Sequence, residues 1–158
     1  MYKNYYLAMM SLCLRYTKNE TDAEEVLNQG FLKVFLNIQR YQTGQATLYT
    51  WIRTIVVNSC LDFIKRKTNN QQHKELDTAL EVHIDAEVIN KMDVSMLLHL
   101  VRQLPPATQA VFNLYVMEGY NHKEIGELLT ISEGTSKWHL SQARKSLQEM
   151  LRLKEVNI

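Results

Sequence analysis

Apolar residues recur at spacings of three and four along most of the chain, which is the pattern of amphipathic α-helices. In the first half the pattern predicts a helix over residues 2–17, a second that opens at a Thr21–Glu24 capping box, and a third over roughly 48–67. In the second half it predicts four further helices, over residues 96–104, 107–118, 122–129 and 135–151. We therefore expect an all-α fold.

One side of each longer helix is apolar and is expected to form a core. On the second helix this side carries Ala23, Val26, Leu27, Phe31, Val34, Phe35 and Ile38. On the third helix the inward residues are Ile52, Ile55, Val56, Ser59 and Phe63. On the last helix they are Leu140, Ala143 and Leu147. Three helices of the size predicted in the first half are enough to enclose one small core.

The last two predicted helices resemble a helix-turn-helix. Asn121, with Glu124 three residues later, is a suitable cap for the first of them, and Ser132 is a suitable cap for the second. The turn between them is short and contains Gly134, and the second helix is longer and more basic. This combination is typical of a DNA-binding helix-turn-helix.

The charge is unevenly distributed along the chain. Residues 1–67 carry a net charge of +4, residues 68–93 carry −4, and residues 94–158 carry +1. The middle segment begins with a polar stretch that lacks apolar periodicity, which favours a linker, although a merely solvated connector fits equally well. We therefore predict two small helical bundles, 1–67 and 94–158, joined by a polar acidic linker over 68–93.

Composition excludes several classes of protein. A 158-residue chain that is 46% hydrophobic can bury a core, and its five Gly and two Pro residues are too few for a fold with many tight turns. Cys13 and Cys60 lie in apolar surroundings and are interpreted as reduced thiols of a cytoplasmic protein. There is no membrane-spanning apolar run and no basic start followed by an apolar stretch.

Arrangements typical of an active site are missing from the sequence. The five histidines are scattered without metal-ligand spacing, and the few glycines are isolated, so no phosphate-binding loop is present. We therefore expect no enzymatic activity, no catalytic residue, no metal, no cofactor and no small-molecule substrate.

The second helix has an additional face opposite its core side. Glu25, Gln29, Leu32 and Leu36 follow one another at spacings of four, three and four. Two leucines beside a carboxylate and an amide favour a docking surface for a partner protein. Alternatively, these leucines pack against the first or third helix.

The third helix also has two faces. Trp51, Thr54, Asn58, Asp62 and Lys65 lie opposite its core side, and Arg66 and Lys67 follow at its end. Aromatic side chains stack on unpaired bases, while Lys and Arg neutralise phosphates. The glycine-containing loop over 41–50 could close on a flipped base. Composition alone favours the alternative, a buried Trp51 and a solvated basic run.

The last helix turns a polar and basic set of residues outward: Glu133, Lys137, Trp138, Ser141, Arg144 and Lys145. Lys and Arg on such a helix contact phosphates or guanine edges in the major groove. A helical hairpin with ordinary surface charge is the alternative.

Three segments resemble the bacterial extracytoplasmic-function sigma factors, the group-four members of the sigma-70 family. DAEEVLNQGFLKVF (22–35) is similar to the helix that binds core RNA polymerase. TWIRTIVVNSCLDFIKRK (50–67) is similar to the segment that melts and reads the minus-ten promoter element. The segment 104–147 is similar to region four, whose helix-turn-helix reads the minus-thirty-five element.

The resemblance implies a role for each surface. Core polymerase binding would fall to Glu25, Gln29, Leu32 and Leu36. Contacts to the minus-ten element would fall to Trp51, Arg53, Asn58, Lys65, Arg66 and Lys67. Contacts to the minus-thirty-five element would fall to Ser132, Thr135, Lys137, Trp138, Ser141 and Arg144. The implied partners are core RNA polymerase, promoter DNA and an anti-sigma factor, which in this family is often membrane-bound.

Several positions depart from the family pattern. Asn28–Gln29 replaces the usual Gln-Glu, Leu48 stands where an aromatic residue is common, and Gly126 replaces a usual Ala. Thr130 occupies a position where Gly often closes the turn, and Trp138 one that is commonly small and polar. A stand-alone helix-turn-helix regulator and a helical adaptor without DNA contact are the alternative functions, but neither needs Trp51, Asn58 and a basic end on one helix.

Overall fold

The computed structural model describes residues 2–70 and 94–156. Over these residues the chain forms seven α-helices: α1 (Tyr2–Tyr16), α2 (Glu20–Asn37), α3 (Leu48–Asn70), α4 (Val94–Val101), α5 (Pro106–Phe112), α6 (His122–Leu129) and α7 (Glu133–Val156). The predicted all-α fold is confirmed. Two compact units are present, Met1–Arg66 and Lys67–Ile158, called here the N-terminal and C-terminal units. Most of the predicted acidic linker, residues 71–93, lies outside the described residues.

The N-terminal unit packs α1, α2 and α3 around one apolar core. The Tyr2 ring on α1 meets Phe31 of α2 edge-on, with ring centroids 4.7 Å apart. The Cys13 and Cys60 sulfurs of α1 and α3 lie 3.9 Å apart, and both thiols are buried and not joined in a disulfide. Burial of a side chain as large as Phe31 contributes about 1.5–3 kcal/mol. Buried side chains therefore join α1 to α2 and α1 to α3, whereas α2 comes into contact with α3 at a glycine.

Gly30 allows α2 to approach α3 closely. A Cβ atom placed on Gly30 would lie 3.2 Å from Cγ2 of Val56 and 3.4 Å from its Cα. Such distances are tighter than ordinary van der Waals contact, so a larger residue at position 30 would push the two helices apart. The predicted core side of α2 did not include this glycine, because it has no apolar side chain.

The predicted start of the second helix is wrong. Asn19, not Thr21, is the capping residue, and its side-chain oxygen accepts a hydrogen bond of 2.8 Å from the backbone N–H of Asp22. The helix therefore begins at Glu20, and Thr21 lies inside its first turn. Asn and Thr are both good capping residues, so the local sequence offered two competing starts.

Two residues assigned to the core of α2 are also exposed. Phe35 is 49% exposed and Ile38 is 37% exposed, whereas Phe31 and Val34 are buried. Phe35 and Ile38 lie near the end of the helix, where α2 gives way to a 3₁₀ turn over Ile38–Arg40. The apolar spacing of α2 therefore continues beyond the part of the helix that α1 and α3 cover.

The C-terminal unit packs α4, α5 and α6 around α7. Pro106 occupies the first turn of α5, where its missing N–H has no intrahelical partner to lose. Residues 107–118 were predicted as one helix, but α5 ends at Phe112 and a π-helical turn follows over Asn113–Met117. Gly119, at φ +79°, then ends the segment in the left-handed region that favours glycine.

Both predicted caps of the helix-turn-helix are confirmed. The Asn121 side chain accepts a hydrogen bond from the Glu124 N–H, and the Glu124 carboxylate accepts one from the Asn121 N–H, which completes a capping box. The Ser132 hydroxyl accepts a hydrogen bond of 3.0 Å from the Thr135 N–H. The last helix accordingly starts at Glu133, two residues earlier than predicted, and continues to Val156.

Two departures from the family pattern meet in the turn between α6 and α7. Thr130 has φ 57° and ψ 48°, a left-handed conformation that costs a β-branched residue about 1–3 kcal/mol. Immediately afterwards the Ile131 carbonyl oxygen passes so close to Gly126 that a Cβ there would lie 2.7 Å away. Gly126 is therefore required by this turn, and its low helix propensity is compensated by the close approach that it allows.

Candidate protein- and nucleic-acid-binding surfaces

The outer face of α2 combines apolar and polar side chains. Leu32 is 58% exposed and Leu36 is 74% exposed, so neither leucine packs against α1 or α3. Glu25 is exposed on the same face, and the Gln29 amide donates a hydrogen bond of 3.1 Å to its carboxylate. The structure thus brings together all four residues that were predicted to bind core polymerase.

Phe35 belongs to this face, although the sequence interpretation placed it in the core. At about 100° of rotation per residue, Phe35 lies only about 60° from Leu32 on the helix. Leu32, Phe35 and Leu36 therefore form one exposed apolar strip, named here the α2 strip. The high exposure of three large side chains on one helix turn is unusual for a surface that contacts only water.

One continuous stripe on α3 is exposed or half-buried. It consists of Trp51, Thr54, Asn58, Asp62 and Lys65. Residues on the opposite side, including Ile52, Val56 and Phe63, are buried in the core. Trp51 is half-buried, so the stripe presents an accessible aromatic surface next to amide and hydroxyl groups, as base stacking requires.

The loop before α3 is braced against this stripe. The Tyr41 and Trp51 rings lie 5.5 Å apart between centroids, and the Tyr41 hydroxyl donates a hydrogen bond of 3.0 Å to the Ala46 carbonyl oxygen. Gly44, at φ +108°, turns the chain between these two points. The loop thus holds a second aromatic ring beside Trp51.

Tyr49 was missed in the sequence interpretation. It is 42% exposed at the start of α3, and its ring lies 6.0 Å from that of Tyr5 on α1. Leu48 stands where the family commonly has an aromatic residue, and Tyr49 is the very next residue. The presence of an aromatic residue directly after Leu48 was the sequence signal that could have identified Tyr49.

The basic end of α3 is linked to α2 by two polar contacts. The Arg66 guanidinium donates a hydrogen bond of 3.0 Å to the Gln29 side-chain oxygen. Lys33 on α2 forms an ion pair of 3.0 Å with Asp62, between side chains that are 44% and 56% exposed. Gln29, assigned to polymerase binding, and Arg66, assigned to DNA binding, are therefore direct neighbours.

The other predicted minus-ten residues are distributed around α3. Asn58 and Lys65 share the stripe with Trp51. Arg53 lies about 160° from Trp51 around the helix and is half-buried, so the structure does not bring it onto the stripe. Lys67 is exposed close to the end of the helix.

The N-terminal turns of α7 carry the predicted minus-thirty-five residues. The Ser132 and Thr135 hydroxyls are 2.8 Å apart, and the Ser132 hydroxyl caps the helix by accepting a hydrogen bond from the Thr135 N–H. Lys137 is exposed and forms an ion pair of 3.3 Å with Glu133, one turn earlier. Such exposed pairs are weak, so Lys137 remains available to a phosphate.

His122 connects α6 to the recognition helix α7. Its Nδ1 atom lies 2.8 Å from the hydroxyl of Ser136, a residue that is fully buried, and its ring stacks on Tyr115 at 4.7 Å between centroids. Partial burial, together with the positive charges of Lys137 and Arg144, lowers the pKa of His122, while the Glu133 carboxylate opposes this shift. The imidazole is therefore held as a neutral hydrogen-bonding group. Arg144 lies close enough to contribute to this effect, on the side of α7 that faces α6.

Trp138 and Ser141 lie on the other side of α7, and both are half-buried. The Trp138 ring meets His139 edge-on at 4.9 Å between centroids. Trp138 and Ser141 lie away from the buried side of the recognition helix. The structure therefore places Ser132 and Thr135 at the start of α7, Lys137 and Arg144 two turns apart on the side near His122, and Trp138 and Ser141 farther around the helix.

Within residues 2–70 and 94–156, no group of three or more His, Cys, Asp or Glu side chains is arranged to hold a metal ion. In the same ranges, no helix has the length and apolar character needed to cross a membrane.

Both units match known protein families. Residues 1–70 match the family described as Sigma-70 region 2, and residues 95–147 match the family described as Sigma-70, region 4. The chain belongs to the sigma-70 family. Similarity to curated proteins places it among the extracytoplasmic-function (ECF) RNA polymerase sigma factors, which confirms the predicted family.

Two of these relatives illustrate the extent of the similarity. The chain is 27% identical over 150 residues to ECF RNA polymerase sigma factor SigE of Mycolicibacterium smegmatis, covering 89% of this chain and 56% of that protein. It is 24% identical over 164 residues to ECF RNA polymerase sigma factor SigW of Bacillus subtilis, covering 89% of this chain and 81% of that protein. The chain thus spans a little over half of the first relative and most of the second.

A solved structure shares the fold. The sigma factor RpoE from Bartonella quintana, crystallised in complex with the anti-sigma factor NepR, superposes with a TM-score of 0.56. The two sequences are 18% identical, and the match covers 95% of each chain. Sigma factors direct RNA polymerase to promoters, so the family accounts for a protein that carries both a candidate protein-docking face and two candidate DNA-binding faces.

Proposed function

We propose that this sigma factor binds core RNA polymerase through the outer face of α2 and directs it to promoters through α3 and α7. The observation that carries the proposal is the α2 strip, because three large exposed apolar residues on one helix call for a protein partner. The α3 stripe lies in the same unit, so polymerase binding would bring this stripe to the DNA. In this scheme residues 1–67 form one functional domain and residues 94–158 the other.

The N-terminal unit would open the promoter and hold single-stranded bases. Trp51 and its neighbour Tyr41 offer aromatic rings for stacking, and Asn58 offers both a hydrogen-bond donor and an acceptor to base edges. Lys65, Arg66 and Lys67 would neutralise the phosphates that follow. Arg53 would contact DNA from a different side of the helix.

The C-terminal unit would place the start of α7 in the major groove upstream. Lys137, Trp138 and Ser141 would face the bases, and Ser132 and Thr135, at the helix N-terminus, would contact the phosphate backbone. Arg144, two turns after Lys137 on the same side of α7, would reach the phosphate backbone.

The small net charge of +1 fits a subunit that works within a larger assembly. A free DNA-binding protein needs its own basic surface to overcome its weak affinity at physiological salt. A sigma factor attached to polymerase shares the DNA contacts of the whole complex. We expect the isolated chain to bind DNA weakly and the holoenzyme to bind it specifically, without any catalysis by the chain itself.

Regulation by an anti-sigma factor belongs to the same proposal. The exposed α2 strip would attract such an inhibitor as readily as it attracts polymerase, since both partners need an apolar docking surface. The acidic segment 68–93 would run into the polymerase when the holoenzyme forms. Both events would take place in the cytoplasm, where core polymerase is found.

Run-off transcription tests the proposed function directly. Purified core polymerase would be combined with the chain on fragmented genomic DNA, and transcript start sites would be mapped. We expect new start sites that share two upstream elements at constant spacing. Start sites identical to those of core polymerase alone would contradict the proposal, and DNA binding by the isolated chain in the absence of polymerase would favour a stand-alone regulator.

A further inference from the structure

Trp138 is the largest side chain on the outer surface of the recognition helix. It is the sixth residue of α7, within the first two turns, which are the part of such a helix that reaches base edges. Around the helix it lies about 160° from both Ser136 and Leu140, which are buried. The indole therefore belongs to the face directed away from the core of the unit.

The neighbouring positions on this face are small or polar. One turn before Trp138 are Gly134 and Thr135, and one turn after it are Ser141 and Gln142. A Cβ placed on Gly134 would have only the Ser132 hydroxyl oxygen within 4 Å, at 3.9 Å. The surface around Gly134, on the N-terminal side of the indole, is thus open.

The indole is also held in place from its inner side. His139 meets the Trp138 ring edge-on at 4.9 Å, and His139 Nδ1 lies 3.0 Å from the hydroxyl of Thr108 on α5. Thr108 is buried, and burial also lowers the pKa of His139, so this imidazole is a neutral and fixed support. A rigid side chain loses little conformational entropy on binding, which suits a residue that discriminates between bases.

Indole chemistry limits what Trp138 could read. It has a single donor, Nε1–H, and no acceptor, so it cannot form the bidentate pairs by which Arg recognises guanine or Asn recognises adenine. What the indole ring offers instead is a large apolar contact surface. In the major groove, the thymine C5 methyl group is the base feature that such a surface recognises.

We propose that Trp138 is a specificity-determining residue that reads a thymine methyl group in the upstream promoter element. The proposal rests on the proposed function of α7 and adds one base preference to it. It also assigns a role to a tryptophan at a position where the family commonly has a small polar residue.

Selection from a promoter library tests this assignment. The probe is a promoter mapped by run-off transcription, with its upstream element randomised, and the binding species is holoenzyme containing wild-type chain, Trp138→Ser or Trp138→Phe. We expect the wild-type holoenzyme to enrich thymine at one position. Trp138→Ser should lose the preference at that position alone, while Trp138→Phe, which keeps an aromatic surface, should retain it.

Replacing that thymine by deoxyuridine removes only the methyl group and gives the second measurement. Wild-type holoenzyme should bind the substituted promoter about fourfold more weakly, the worth of one buried methyl group. Trp138→Ser holoenzyme should bind both promoters equally. Circular dichroism checks that each variant is folded, and binding of core polymerase through α2 checks that the N-terminal unit is unaffected.

The possible outcomes separate the two proposals. If Trp138→Ser enriches the same thymine, or if deoxyuridine weakens both holoenzymes equally, the methyl assignment is wrong while the role of α7 stands. The assignment also fails if wild-type holoenzyme selects an upstream element without thymine. If it selects no upstream sequence at all, the proposed function of α7 fails, and the role of Trp138 with it.

Discussion

The two units differ in what they expose. Among the described residues, the N-terminal unit has six large apolar side chains that are strongly exposed, and the C-terminal unit has three. In the N-terminal unit three of the six form the α2 strip, whereas the outer surface of α7 carries charged, hydroxyl and amide groups around a single tryptophan. A surface that docks on protein gains from apolar area, and a surface that docks on DNA gains from positive charge and hydrogen-bonding groups.

The units also differ in how their working helices are held. In the N-terminal unit, α2 and α3 each have one side in a shared core and are linked at the surface by Arg66–Gln29 and Lys33–Asp62. In the C-terminal unit, the position of α7 depends on a turn with a left-handed Thr130 and an Ile131 carbonyl oxygen that would lie 2.7 Å from a Cβ atom at position 126. We therefore expect the first unit to be sensitive to surface changes in binding assays and the second to be sensitive to small steric changes in stability assays.

The largest effect is expected from a charge in the α2 strip. Leu32→Asp should reduce binding of core polymerase by at least about tenfold, because the carboxylate would lose its hydration against an apolar partner surface. Leu7→Asp is the matched control, since Leu7 is 79% exposed in the same unit but lies on α1. Pull-down of core polymerase measures the effect, and circular dichroism checks that both variants stay helical. Equal pull-down of both variants and the wild type would show that the strip is not the docking surface.

A steric change in the helix-turn-helix is expected to come next. Gly126→Ala should destabilise the C-terminal unit by about 1–3 kcal/mol, even though Ala is the better helix former, because its Cβ would overlap the Ile131 carbonyl oxygen. Gly134→Ala is the control, because the nearest atom to its Cβ would be 3.9 Å away. Each unit has one tryptophan, so urea unfolding followed by Trp138 fluorescence in a Trp51→Phe background reports the C-terminal unit. An unchanged or raised stability for Gly126→Ala would show that the turn relaxes without cost.

The α3 stripe provides a prediction about strand opening. Trp51→Ala should leave binding of the closed promoter intact and weaken the open complex by about 1–3 kcal/mol, the worth of one stacked base. Asn58→Ala should act in the same direction through a lost hydrogen bond. Permanganate footprinting of the holoenzyme on a mapped promoter detects the bubble, and Leu7→Ala, at an exposed position on α1, is a control outside the stripe. A normal bubble with both variants would remove the stripe from strand opening.

The smallest expected effect is a pH dependence confined to one unit. Residues 1–66 contain no histidine, whereas His122 and His139 in the C-terminal unit both have a lowered pKa. The unfolded chain therefore binds protons more readily than the folded one just below about pH 6.5, so stability is fully present above that pH and is lost as the pH falls. Unfolding curves at pH 7.5 and 5.5 should show this loss in Trp138 fluorescence and a smaller change in Trp51 fluorescence. His122→Gln should reduce the loss, and the same slope at both tryptophans would contradict the assignment.

Much of the fold and of the candidate site followed from local sequence. Helix periodicity predicted seven helices, and the structure has seven over its described residues. The Asn121–Glu124 capping box and the Ser132 cap depend on residues within one turn of each other, so they could be identified without tertiary information. For the same reason, the residues that share an outward face on α2 and α3 were grouped correctly.

Most of the errors arose at positions whose burial or backbone conformation depends on packing between helices and not on the periodicity of a single helix. Phe35 continues the apolar spacing of α2 but is exposed, because the periodicity of one helix does not say how far its neighbours extend. The π-helical turn over Asn113–Met117 carries no distinctive sequence signal. Arg53 is a different case, because it was grouped with Trp51 by resemblance although the periodicity of the helix alone places the two residues on nearly opposite sides.

The amino-acid sequence was sufficient for the helical fold, for the caps of α6 and α7 and for the chemistry of each face, because all three depend on residues within a few positions of one another. Contacts between helices determined which apolar residues stay exposed on α2, why position 126 must be glycine, and that Gln29 holds Arg66. These contacts join residues that are distant along the chain, and their distances depend on how the helices pack. A single sequence contains the periodicity of each helix but not the distances between helices.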